Sequence, residues 1–189
     1  TTGSSNTAVG RSALGSNTTA SENTAVGYQS LYSNTTGARY TAVGYQALYA
    51  SNNATGYATA VGWQALKAQT TGYSNTAIGD QSLQATTSGS SNVAVGSLAL
   101  YSNTTAPNNT AVGYQASYLN TTGANNVTVG AFSGYSGNGS TRNTLVGAGA
   151  GYYITTGADN VGVGFGALAY NTPNATGNYN TAVGKEALA

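Results

Sequence analysis

Four carboxylates, Glu22, Asp80, Asp159 and Glu186, are the only acids in the chain, which has no His and no Cys. Proton transfer and nucleophilic attack need titratable groups within reach of one another. Without His or Cys, most nucleophile–base arrangements fall away. A carboxylate pair could still cleave a glycoside if its members lay roughly 5–10 Å apart. The repeat described below puts Glu22 and Asp159 in one column but eight coils apart, on the order of 40 Å at the spacing of a sheet. Asp159 and Glu186 fall in adjacent coils, at different points of the perimeter. No catalytic residue is assigned, and the chain is not expected to be an enzyme. Calcium-binding solenoids carry an Asp in each turn, which this chain lacks. Without Cys, thiolate metal sites are excluded, and no phosphate-loop Lys follows the glycines. No metal or cofactor is expected.

Two aromatic groups suit binding better than reaction. Tyr28, Tyr45 and Trp63 form one, and Tyr101, Tyr118, Tyr135 and Tyr152 the other. Each group occupies a single column of the repeat. Such columns could stack on surface glycans, but the reading favoured here is that they cover the molecule or a seam between chains. Asn-x-Ser/Thr occurs at Asn17, Asn34, Asn53, Asn103, Asn108, Asn120, Asn126, Asn138 and Asn174. In a secretory setting these accept glycans. A chain rich in Asn and Thr also generates the tripeptide through turn preference, and that is the reading we favour.

The elements that position these residues come from an internal repeat. A Val-Gly or Ile-Gly pair ends at Gly10, Gly27, Gly44, Gly62, Gly79, Gly96, Gly113, Gly130, Gly147, Gly164 and Gly184. The spacing is 17, except 18 between Gly44 and Gly62 and 20 between Gly164 and Gly184. Two residues before each Val or Ile stands a Thr or Val, a period-2 pair of strand formers. Three residues after the glycine comes Ala or Ser, then Leu in eight copies, with Ser117, Gly134 and Gly151 as exceptions. Asn-Thr-Thr-Gly or a relative closes most units with turn chemistry. A unit this short cannot bury its own apolar face, so neighbours must stack.

The sequence therefore predicts an all-β fold, a parallel β-solenoid of about eleven 17-residue coils, with residues 1–189 as one repeat array. At about 4.8 Å per coil it would be a rod on the order of 50 Å long. The Val, β-branched and Leu columns are expected to form internal ladders, so Val112→Asp should destabilise far more than Gln115→Asp. An Asn column, with Tyr40 and Ala58 as departures, is expected to form an amide ladder. Register can be checked on the rare charges. Glu22 and Arg39, and again Arg142 and Asp159, are opposite charges in adjacent coils of one column. Arg11 beside Tyr28, Lys67 beside Tyr49 and Lys185 beside Phe165 would be cation–π neighbours.

The segment Asn-Thr-Ala-Val-Gly-x-x-Ala/Ser, as at 23–30 and 109–116, resembles the repeat in the heads of trimeric autotransporter adhesins. The longer Asn-Thr-Ala-Val-Gly-Tyr-Gln-Ala-Leu form is similar to arrays in phage tail-fibre-type proteins. The resemblance implies a β-roll, assembly in threes, and display on a cell or virion surface; no catalytic residues carry over. The function expected is an extracellular structural or adhesive fibre module. The alternative is a ligand-binding face for ice, on the Thr columns, or for polysaccharide, on the Tyr columns. Net charge is +1 and charged residues are 5% of the chain, which leaves no electrostatic footprint for nucleic acid or a membrane surface. No apolar run approaches the roughly 18 residues of a membrane span. A homo-oligomer is expected, as a trimer or an end-to-end filament. The Ala/Ser and Tyr columns after the glycine are its expected contact. Neither end carries an obvious polar cap, so the stack is expected to continue.

Overall fold

The computed structural model describes residues 2–54, 56–169 and 176–188. Among these residues, eleven short strands form one sheet in sequence order, each parallel to the next. They are β1 (Thr7–Val9), β2 (Thr24–Val26), β3 (Tyr40–Val43), β4 (Ala58–Val61), β5 (Asn75–Ile78), β6 (Val93–Val95), β7 (Thr110–Val112), β8 (Val127–Val129), β9 (Thr144–Val146), β10 (Val161–Val163) and β11 (Thr181–Val183). Equivalent residues pair throughout, as Thr110 with Val127 and Val112 with Val129. Neither long coil disturbs this: Thr41 still pairs with Thr59, and Val161 with Thr181. The architecture is the β-solenoid that the repeat predicts.

The interior differs from the expected one. From β2 to β9, and again in β11, the residue between the two β-branched positions is buried and points inward. Ala25, Ala42, Ala60, Ala77, Ala94 and Ala111 are fully enclosed. The β-branched residues themselves point out: Ile78 is 42% exposed and Val93 36%. The Val and Thr columns are thus an outer surface and not internal ladders. Val112, expected in the core, is only partly covered, while its neighbour Ala111 is sealed. The strand contributes a methyl group because the opposite wall contributes Leu. Leu31, Leu48, Leu66, Leu83 and Leu100 are fully buried in the same cluster.

The Ala/Ser column after the glycine is buried as well, with Ser30, Ala47, Ala65, Ser82 and Ala116 fully enclosed. It cannot be the contact surface expected for association. The cause is the backbone. Two positions in this segment have left-handed φ in coil after coil, as at Gln46 (51°) and Leu48 (52°). Each such reversal re-aims the side chain, so Ala and Leu both face the core. The backbone N–H groups split accordingly. Gln46 donates back to the Tyr28 carbonyl at 2.9 Å, and Leu48 forward to Ala65 at 3.0 Å. A left-handed non-Gly residue costs about 1–2 kcal/mol. Where Gly134 and Gly151 replace Leu, φ is 60° and 61°, so glycine relieves that cost. Leu145 refills the space: a Cβ on Gly151 would come within 2.6 Å of its Cδ1.

The anchor glycines are needed for a different reason. Their φ values, 125° to 142°, lie in a region that a side chain excludes. A Cβ on Gly44 would also run into the carbonyl of Gly62 in the next coil.

These placements reverse the expected ranking of substitutions. Ala111→Asp should lower stability by roughly 3 kcal/mol or more, as an unpaired buried charge does. Val112→Asp should cost much less. Equal losses of melting temperature would mean that the inward column has been misassigned.

Candidate functional site

The expected Asn ladder is present in two runs, Asn6–Asn23 and Asn75 through Asn180. Asn126 illustrates it. Its backbone N–H and its Nδ2 both donate to Asn109 Oδ1, at 3.0 and 3.1 Å. Its Nδ2 also donates to the Ser140 carbonyl at 2.7 Å. Its Oδ1 accepts from the Asn143 backbone and side chain at 3.0 and 3.3 Å. All four positions of the amide are filled. The first run ends where the Tyr40 N–H donates to Asn23 Oδ1 at 2.8 Å. Tyr40 is buried and its hydroxyl donates to the Asn53 carbonyl at 3.1 Å. Gly56, lying against that hydroxyl, supplies the room.

A second Asn set closes the corners. Asn34 Oδ1 accepts the Gly37 N–H at 2.8 Å, and its Nδ2 donates to the Gly37 carbonyl at 2.9 Å. Asn103 and Asn120 repeat this with Ala106 and Gly123. Gln69 and Thr86 stand at the same point of the repeat, and Gln69 Nε2 and Thr86 Oγ1 are buried without a partner. The structure thereby divides the Asn-x-Ser/Thr sites. Asn34, Asn103, Asn120 and Asn126 are buried, Asn17 and Asn53 are partly covered, and Asn108 and Asn138 are exposed. Asn174 lies outside the described residues.

The expected charge pairs form. Arg39 Nε meets Glu22 at 2.6 Å, and Arg142 binds Asp159 through two bonds of 2.6 and 2.7 Å. The Arg142 hydrogen bond holds the Asp159 carboxyl below its usual range. The pairs are exposed, so they report register more than stability. Arg11 lies 6.0 Å from the Tyr28 ring centre. Arg39 lies 5.4 Å from that of Tyr57, a neighbour the sequence reading missed although both occupy one column. Lys67 and Lys185 make no such contact among the described residues.

The structure places the candidate aromatics in their two columns. Tyr28 stacks on Tyr45 at 5.3 Å, and Tyr45 on Trp63 at 6.0 Å. Tyr101, Tyr118, Tyr135 and Tyr152 follow at 5.2, 5.3 and 4.9 Å, inclined by 10–12°. The rings lie face against face, so much of the π surface is spent on neighbours. Tyr32 and Tyr49, in the same column as the second group, stack at 5.4 Å and were missed. Also missed was an open apolar cleft of about 300 Å³, walled by Phe132, Tyr152, Tyr153 and Phe165 over Gly149 and Gly166. The signal was the loss of Gln at positions 132, 149 and 166, which removes a polar side chain three times running.

Among the described residues, no three His, Cys, Asp or Glu side chains gather as a metal site would require. Among the same residues, no helix is long and apolar enough to cross a membrane. Fold and surface together define a parallel β-solenoid with aromatic columns on its outside. No family model, curated protein or solved structure matches the chain.

Two outcomes follow. Thr86→Asn should complete a corner and raise stability by about 1 kcal/mol, and Asn120→Ala should lower it by at least as much; thermal melts of both variants decide this. The second concerns alkali. Burial raises the Tyr40 pKa above 10.0, partly offset by its hydrogen bonds. The folded state then holds the proton more tightly than the unfolded one. Stability is complete below about pH 10 and falls as pH rises toward the folded value. Tyr40→Phe should flatten that alkaline limb in denaturant melts, whereas an unchanged limb would assign it to other tyrosines, such as Tyr118 and Tyr152, which burial also raises.

Proposed function

We propose that this chain is a structural module of an extracellular or virion-surface fibre, non-catalytic, and assembled from more than one copy. The observation that carries the reading is the unbroken register of eleven strands. Even the 18- and 20-residue coils leave it intact. A module whose work is to be straight, stiff and long needs that regularity, whereas an enzyme needs one irregular place. The near absence of charge suits a surface that meets other chains or a matrix without strong electrostatic preference.

A ligand-binding face is the second reading. The open cleft beside Tyr152 favours it, because a concave aromatic wall offers contact area that the flat columns do not. Glycan-array binding that Tyr153→Ala abolishes would support this reading.

Imaging by electron microscopy tests the fibre. Stiff uniform rods, gaining on the order of 50 Å per chain, are expected. Compact particles with no long axis would contradict the proposal.

A further inference from the structure

The outward side of the sheet carries two ranks of side chains. The first holds Thr or Val in every strand, and the second Val or Ile78. Neither rank contains a charge, an amide or an aromatic residue. Exposure alone does not impose this. A neighbouring outward column holds Ser5, Glu22, Arg39, Tyr57 and Asn108 in the same role. Strand propensity would admit Tyr and Phe as readily as Val. The core does not impose it either, since Ala fills the inward position.

The dimensions are informative. Ten intervals of about 4.8 Å give a face about 48 Å long. The two ranks stand two residues apart, about 7 Å along the strand, and the breadth of the side chains themselves brings the covered width to about 10 Å. That is about 500 Å² on one copy and about 1,000 Å² across a pair, the threshold for a specific interface. One rank is Val or Ile throughout and the other is mostly Thr, which adds methyl groups beside its hydroxyls; an uncharged patch of such size on a protein surface is often functional.

We propose that this face packs against the same face of a second copy, sheet on sheet, with the Val rank and the Thr methyl groups interleaved. A patch used against itself must be self-complementary, and a face that repeats every coil is. Its uniformity also lets copies overlap at any whole number of coils, which suits lateral growth. The pairing deepens the fibre proposal but fails separately: single rods in the microscope would keep the fibre and remove the pairing.

The test is mass by light scattering at rising concentration. The wild-type chain should reach at least twice its 18.7 kDa. Ile78→Lys with Val95→Lys should return it to the single-chain mass with an unchanged circular-dichroism spectrum. Gln115→Lys, on another wall, should leave the mass as it was. The natural absence of Cys allows a second measurement if the Lys variant folds poorly. Val95→Cys should form an intermolecular disulfide on mild oxidation, and Gln115→Cys should not. A wild-type mass fixed at one chain, or equal cross-linking at both positions, overturns the proposal. So does a single-chain species with freezing hysteresis that the Lys pair removes, which would assign the face to ice.

Discussion

A side-chain amide with all four of its hydrogen bonds filled is the interaction on which the rest depends. Each Asn of the ladder from Asn92 to Asn160 ties its coil to the one before, through its backbone N–H, and to the one after, through its Oδ1, and Asn126 and Asn143 add a side-chain bond from Nδ2 to the preceding Oδ1. Strands of three or four residues fix little register by themselves. A slip of one residue would turn every outward Val inward. The buried amide penalises that slip, because four polar positions would lose their partners where water does not reach.

Once the coils are locked, the interior follows from volume. A coil this narrow accepts one large residue from one wall and a methyl group from the other, and Leu with Ala meets that limit. Departures compensate locally. Leu145 fills the space left at Gly134 and Gly151. Ser117 and Thr128 replace a Leu and an Ala together and share a hydrogen bond of 3.0 Å. Each is a change in one column answered in another.

Much of this could be read from the chain. The repeat located every strand, the Asn column announced its ladder, and the opposite charges at 22, 39, 142 and 159 reported the register correctly. The parity of the strand could not be read. Thr-Ala-Val has apolar residues on both faces, and the strict Val column looked like core although Ala held that place. The rotation of the following segment was also hidden. Left-handed Gln and Leu carry no mark of their conformation, and only the glycines at 134, 149, 151 and 166 hinted at it. The aromatic columns were visible, but the cleft was not, since it arises from side chains missing at Gly149 and Gly166.

The most direct measurement of the central claim is residue-resolved hydrogen exchange. Backbone N–H groups of Asn92, Asn109, Asn126, Asn143 and Asn160 donate to side chains and not to a strand partner. If the ladder locks the stack, these protons exchange as slowly as those within the strands, opening only when the array itself unfolds. Exchange at the rate of exposed corner residues such as Asn138, with the strands still protected, would contradict the account.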